Sequence, residues 1–399
     1  MSPISYAPAH AGTKDPTVTN TPLRIPFNRP THTRLVDEYV AQALHSGHLS
    51  GDGDFTRRCQ ELLGALLDDA TILLTTSGTH ALELMSLLLD IGPGDEVIVP
   101  SFTFSSTVNA FVLRGATPVF IDIRRDTLNL DEDKLDSLIT PRTRAIVPVH
   151  YAGVACEMDP IMEMAGRHDV TVVEDNAHGL FGEYRGKPLG TFGVMAAQSF
   201  HETKNFSCGE GGAIVINDPR YVERAEIIRE KGTDRRKFFR GLVDKYTWVD
   251  IGSSYLPSDL LAAMLLAQLE DREWVWEHRS TVWNRYAAEL AAWSRANGVQ
   301  MPFVPEHCRT PYHLFHMIMP STQARDGLIS HLRAAGILAV FHYQPLHLSP
   351  FGQRVQPVSD CPVTEEIAMR LVRLPFYTNM QETDVDAVIE SVCSFAVEQ

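Results

Sequence analysis

The sequence predicts an α/β fold, a mostly parallel central sheet flanked by helices, with a smaller α+β unit at its C-terminal end. Short apolar, β-branched runs recur at residues 96–100, 118–122, 145–150, 171–175, 196–200 and 212–217. Candidate helices at 108–114, 131–138 and 160–168 separate most of them. Runs that are apolar throughout belong to strands covered on both faces, and parallel neighbours need helical crossovers between them. The 399 residues are 44% hydrophobic and 21% charged, which supplies a large core and argues against disorder.

Ahead of the first run, Leu35, Tyr39, Val40, Ala43 and Leu44 repeat at helical spacing within 33–47. Phe55, Cys59, Leu62, Leu63 and Leu66 do the same after the turn Gly51-Asp52-Gly53. A helix over 81–89 follows Ser77-Gly78-Thr79 and stops at Gly92-Pro93-Gly94, where both residue types break helices. Beyond the sixth run, 258–296 reads as a long helical stretch. From Met301 the pattern becomes strand (313–319), helix (324–335), strand (338–343) and helices near 364–372 and 382–395. The expected organisation is a flexible N-terminal extension (1–22), a large domain (23–257), and a linking helix with a small C-terminal domain (258–399).

With 35 Lys+Arg against 50 Asp+Glu the net charge is −15, which argues against nucleic acid or an anionic membrane surface as the partner. The 6 cysteines show no Cys-x-x-Cys spacing, so neither a zinc knuckle nor a disulfide framework is expected, in keeping with a reducing cytoplasm. The first residues lack the basic start and apolar centre of a signal peptide. The most apolar windows, 81–91 and 260–269, fall short of the ~18–20 residues that span a bilayer. A cytoplasmic chain without membrane segments is the expectation.

Ligands of open parallel sheets bind beyond the carboxyl ends of the strands, and three places there carry chemistry. Thr75-Thr76-Ser77-Gly78-Thr79 stands directly before a helix, where small residues expose backbone N–H groups at the positive end of the dipole. Taken alone it also reads as a simple N-cap. Glu174-Asp175 ends an apolar run, with His178 three residues on; a carboxylate there accepts from a protonated ring nitrogen or merely caps a loop. Ser199-Phe200-His201-Glu202-Thr203-Lys204-Asn205 ends another run before Gly209-Glu210-Gly211-Gly212, and a lysine so placed can form a Schiff base if its amine pKa is lowered. A phosphate seat, an Asp on a neighbouring strand and a Lys some thirty residues later are together what pyridoxal phosphate requires.

These segments, in this order, resemble the nucleotide-sugar aminotransferases of the DegT/DnrJ/StrS family, from about residue 23 to 396. The resemblance implies the fold type I architecture of pyridoxal-phosphate transferases, like that of aspartate aminotransferase. It implies that Lys204 holds the cofactor and moves the proton, that Asp175 binds the pyridine nitrogen, and that Phe104 stacks on the ring. His178 takes the place where many members carry Gln against the ring oxygen. Ser77, Gly78, Thr79 and Ser199 fall to the phosphate. Many relatives complete that site with an Asn-x-Arg-like motif from a second subunit; here Ser254 and Leu256 stand in those positions.

Stretches 25–28, 50–59, 147–156, 238–241, 244–248 and 339–343 are similar to members that convert dTDP-4-keto-6-deoxyglucose to dTDP-4-amino-4,6-dideoxygalactose. The implied partners are thus a nucleotide-linked keto sugar, L-glutamate as amino donor, and a second copy of the chain in a homodimer with shared active sites. The basic run from Lys231 to Lys245 reads as a loop whose cations, Arg240 among them, meet the diphosphate or the donor's carboxylates. His342 and Tyr343 are candidate substrate contacts. His342 and His347 lack the same-face spacing of a helical metal pair, so no metal is expected. Lys204 disfavours the family's dehydratases, which replace that lysine with histidine; a transaminase of another nucleotide keto sugar, GDP-linked or a C3 ketone, is a second rival, and a catalytically silent sensor that binds nucleotide sugar or cofactor is the rival of another class.

Overall fold

The computed structural model describes residues 23–356 and 358–397. The extension expected at 1–22 lies outside the described residues. Seven strands form the main sheet: β1 (Thr71–Thr75), β2 (Glu96–Pro100), β3 (Thr117–Ile121), β4 (Thr143–Ile146), β5 (Thr171–Asp175), β6 (Met195–Ser199) and β7 (Gly212–Ile216). Their order across the sheet is β1-β7-β6-β5-β4-β2-β3, and β7 runs antiparallel to both its neighbours while every other pair is parallel.

Side-chain alternation explains why these strands read as apolar throughout. Val97, Val99, Val173, Ala197 and Ile214 face one side, packing on helices Gly78–Leu88 and Ser105–Val112. Their neighbours Ile98, Ile146 and Val172 face the other, under Met158–Arg167, and Leu74, Ala196 and Val215 meet Asp54–Leu66 and Asp259–Glu270. Both faces are dry, so neither needs polar residues.

The sequence reading passes over β1, whose Ile72-Leu73-Leu74 is short and runs straight into the polar Thr75–Thr79 segment. The stretch 258–296 is three helices, Asp259–Glu270, Arg272–Glu289 and Ala291–Ala296. The C-terminal strands are shorter than expected: His316–Ile318 pairs antiparallel with Leu371–Arg373, and that second strand takes Val372 away from the helix Pro362–Arg370. Residues 338–343 do not form a strand. Val340 makes one bridge to Arg373, and Phe341, His342 and Tyr343 then turn into the cavity described below. Ile25 bridges Ile337 and packs with Tyr286, Phe315, Leu328 and Val388, so the start of the described chain is built into the C-terminal hydrophobic cluster.

Candidate active site

The ends of β1, β5 and β6 meet at one cavity of about 650 Å³. Register places them side by side: Gly212 lies opposite both Thr75 and Ser199, and Asp175 opposite Ala197. Ser77, Gly78, Thr79, Phe104, Asp175, His178, Ser199, Lys204, His342 and Tyr343 all line it. Three segments far apart in sequence are thereby joined by strand pairing.

Ser77 caps the helix Gly78–Leu88, its Oγ accepting from the His80 N–H at 3.1 Å. The start of the helix is pressed against the sheet. A Cβ on Gly78 would stand 2.9 Å from Ser199 Cβ, and one on Gly212 2.3 Å from the Ser77 carbonyl carbon. Glycine at both places leaves the helix N-terminus open to an anion at close range. The Thr79 hydroxyl joins the Ser106 hydroxyl at 2.8 Å on the same wall. Gly78→Ala is expected to weaken retention of pyridoxal phosphate by roughly tenfold, read by dialysis against increasing cofactor, because the new methyl forces the helix start away from Ser199.

Asp175 is 5% exposed and makes no close ion pair among the described residues, Lys204 being the cation that acts on it electrostatically. One carboxylate oxygen accepts from Thr107 Oγ1 at 2.7 Å and the other from the Ala177 N–H at 3.1 Å, which fixes the plane of the group. Thr107 is itself paired with Thr103 at 2.9 Å. The preceding Glu174 points the opposite way, accepting from Gly190, Phe192 and Gly193 N–H groups and from His150 Nε2. Because His150 Nδ1 accepts from the Cys156 N–H, its proton sits on Nε2. Glu174 is thus a structural pin and Asp175 the group presented to a ligand. Thr107→Val is expected to reduce turnover about fivefold to thirtyfold without unfolding the chain, the loss of one charge-assisted hydrogen bond worth about 1–2 kcal/mol.

Lys204 sits in the loop between β6 and β7, its N–H donating to the His201 carbonyl at 2.9 Å while Glu202 N–H reaches Gly209 O. Burial pushes its amine down to about 8, Asp175 opposing and the Arg373 charge assisting. A base lowered in this way loses its proton earlier as pH rises: with a pKa near 8, roughly a tenth of the amine is free at pH 7, against a few in ten thousand for an ordinary lysine. The rate at which the cofactor-free protein takes up pyridoxal phosphate covalently should therefore climb with pH up to about 8 and level off above it, followed by absorbance.

His178 is 8% exposed; burial, followed by the charges of Lys204 and Arg373, holds it neutral, and its Nδ1 has no partner. It stacks on His313 with ring centroids 4.2 Å apart. His313 Nδ1 meets the Asn205 side-chain oxygen at 2.9 Å, and since the Asn205 amide N–H donates to Pro311 O, the histidine is the donor. Asn205 follows Lys204 directly, so His313 ties the lysine loop to His178. Phe104 stands at the mouth, 60% exposed, with its ring 6.4 Å from that of Tyr343. Tyr151 Oη lies 3.0 Å from His342 Nδ1, and His342 is kept neutral chiefly by burial.

Arg240 and Ser254 lie outside this cavity. Arg240 pairs with Glu226 at 2.7 and 3.0 Å. Lys231 and Arg235 bind Glu230, Arg236 binds Glu226, and Lys237 binds Glu223, so the acidic helix Val222–Arg229 and its end absorb most of the basic run expected to meet substrate. Ser254 is exposed and bridges Glu230. His347 is a buried strut between Ser101 and Glu365. Among the described residues no group of three or more His, Cys, Asp or Glu could hold a metal, and no helix is long and apolar enough to cross a membrane.

Sequence reasoning missed Thr107, His313 and Arg373. Thr107 had a signal in the hydroxyl run Ser105-Ser106-Thr107 after Phe104, and Arg373 in being the one charge inside Leu371-Val372-Arg373-Leu374. His313 had none, because nothing local marks a histidine that stacks on another 135 positions away.

The cavity fits pyridoxal phosphate on its own chemistry: an open helix start for the phosphate, an oriented carboxylate without a close ion pair, a lysine with lowered pKa and a neutral ring nitrogen without a partner. Comparison with known proteins agrees. Residues 31–393 match the model of the DegT/DnrJ/EryC1/StrS aminotransferase family. The chain is 33% identical over 92% of its length to the spore coat polysaccharide biosynthesis protein SpsC of Bacillus subtilis, covering 96% of that protein. It is 34% identical to the GDP-perosamine synthase of Caulobacter vibrioides, over 89% of this chain and 94% of the other. Among solved structures, Spr1654 of Streptococcus pneumoniae, described as a sugar aminotransferase, superimposes with a TM-score of 0.85 in its PLP form and 0.86 in its PMP form. That pair shares 27% identity over 93% of this chain and 98% of Spr1654.

Proposed function

Since this chain belongs to the DegT/DnrJ/EryC1/StrS aminotransferase family and is a pyridoxal-phosphate enzyme, we propose that it moves the amino group of L-glutamate to C4 of a dTDP-linked 4-keto-6-deoxyhexose, giving the 4-amino-4,6-dideoxy sugar. The observation that carries the aminotransfer chemistry is the meeting of Lys204, Asp175 and the Ser77–Thr79 helix start in one cavity. The sugar rests on the stretches quoted above, of which Phe27, Asn28, Phe341, His342 and Tyr343 line that cavity.

When bound, the cofactor supplies a carbonyl that exchanges amines and a ring that accepts the electron pair of a broken C–H bond. The residues supply the rest. The Ser77–Thr79 N–H groups and the Thr79 and Ser199 hydroxyls hold the phosphate. Asp175 keeps a proton on the ring nitrogen by offering an oriented negative charge. Phe104 covers one face and keeps water from it, and His178 donates to or accepts from the ring oxygen through a neutral imidazole. Lys204 Nζ, its pKa lowered to about 8 by burial, takes the proton from the donor's Cα, and in the return half of the exchange delivers one to the sugar carbon that receives nitrogen.

Assembly is part of the same proposal. Phe239, Leu242 and Trp248 are 69%, 66% and 78% exposed within one short segment, apolar surface of the kind a second copy covers. A homodimer in which that copy brings Ser254 and its neighbours to the phosphate accounts for their position outside this chain's own cavity. A dimer by light scattering supports it, and a monomer with full activity refutes it.

A GDP-linked sugar is the second reading, favoured by the likeness to GDP-perosamine synthase. Incubation with L-glutamate and a panel of dTDP- and GDP-linked 3- and 4-keto sugars, with products identified by mass spectrometry and NMR, decides between them. Amination of the dTDP-4-keto sugar at least tenfold faster than the GDP sugar is expected; the reverse preference overturns the dTDP assignment.

A further inference from the structure

Arg373 is the cation that the cavity leaves without a counter-charge. It ends the strand Leu371–Arg373 and is clamped on both sides, paired with His316 in the strand and bridged to Val340, with N–H to O distances of 3.1 and 2.7 Å across that bridge. Its guanidinium lies 4.6 Å from the centre of the Phe27 ring, and one of its N–H groups donates to the Phe341 carbonyl at 3.1 Å. Its Nε is sealed from solvent and has no partner, and among the described residues it makes no ion pair. Every other charged group of the cavity is accounted for: Asp175 by Thr107 and Ala177, Glu210 by its exposure to solvent, Lys204 by its proposed role. A guanidinium held by its backbone at the cavity wall, half-buried and with donors to spare, lacks an anion.

We propose that Arg373 receives a carboxylate of the amino donor, and so determines which amines the enzyme accepts. This rests on the transaminase reading above. The cofactor's phosphate has its own seat at Ser77–Thr79. The diphosphate of a nucleotide sugar hangs from C1, across the ring from the carbon that reacts. Arg373, by contrast, acts electrostatically on Lys204, His178 and His342, the groups around the reacting nitrogen, where the donor's carboxylates must lie. A planar carboxylate takes two N–H groups of one guanidinium at once, which a neutral amine donor cannot do.

The two half-reactions separate this role from a structural one. In the holoenzyme, Arg373→Gln should raise the KM for L-glutamate by about 50-fold in the first half-reaction, while the second, from the amine-loaded enzyme to the keto sugar, changes less than threefold. Arg373→Ala should regain part of its rate with millimolar guanidinium ion, and Arg373→Lys should lie between. Succinate, which carries the carboxylates but cannot react, should bind the wild-type holoenzyme in calorimetry and lose that binding in Arg373→Gln. An unchanged KM for glutamate, an equal fall in both half-reactions, or a loss confined to the sugar overturns the assignment. If the wild-type enzyme shows no response to glutamate at all, the transaminase reading fails instead, and the succinate titration still tests the anion site by itself.

Discussion

Lys204→Ala should remove turnover almost completely, by about four orders of magnitude, while leaving a folded protein. In the proposed mechanism two functions vanish together, since the same Nζ would hold the cofactor covalently and carry the proton. The buried groups beside it are poor substitutes: burial makes His178, His313 and His342 strongly disfavour a proton and pushes the Tyr343 hydroxyl up. The fold does not depend on the amine. A buried lysine whose pKa has fallen to about 8 is a cost to the folded state at neutral pH, so its truncation is expected to leave the melting temperature equal or higher. Steady-state rates with thermal melts check both halves of the statement.

Asp175→Asn carries the second largest effect, a loss of roughly 10²–10³-fold in turnover. The amide is nearly isosteric and keeps both anchors, its oxygen accepting from Ala177 N–H and its NH₂ donating to Thr107 Oγ1, which is free to accept. What disappears is the negative charge that keeps the ring nitrogen protonated and the ring able to accept electrons. The variant should still bind cofactor on Lys204 and still show its visible band, with each half-reaction slowed. A variant that fails to bind cofactor, or that turns over at the wild-type rate, contradicts the assigned role.

The parts of the site that were legible in the sequence are those whose chemistry is local. Ser77-Gly78-Thr79, which alone also reads as an N-cap, gains meaning from the company of Asp175 and Lys204, and Lys204 from following a strand end and preceding a glycine run. Asp175 was legible from its place at the end of an apolar strand, but its neighbour Glu174 was equally so; only the structure separates them, sending Glu174 into a cage of backbone N–H groups and Asp175 into the cavity. Arg240 lies outside this chain's own cavity for the opposite reason. The basic run stands out in sequence, but Glu223 and Glu226 on the helix Val222–Arg229 and Glu230 at its end pair with most of it, a pairing set by how the chain folds back on that helix. The parallel sheet could be read from uninterrupted apolar runs, whereas residues 338–343 show the same pattern and still leave the sheet, because the cavity rather than a neighbouring strand receives their side chains.

The account stands most directly on where the cofactor is attached. Purified protein loaded with pyridoxal phosphate, reduced with borohydride and digested, should carry the reduced cofactor on the peptide containing Lys204 and on no other, and L-glutamate added before reduction should prevent the labelling while releasing 2-oxoglutarate. Labelling at a different lysine, or no labelling of a protein that still transfers amine, would contradict it.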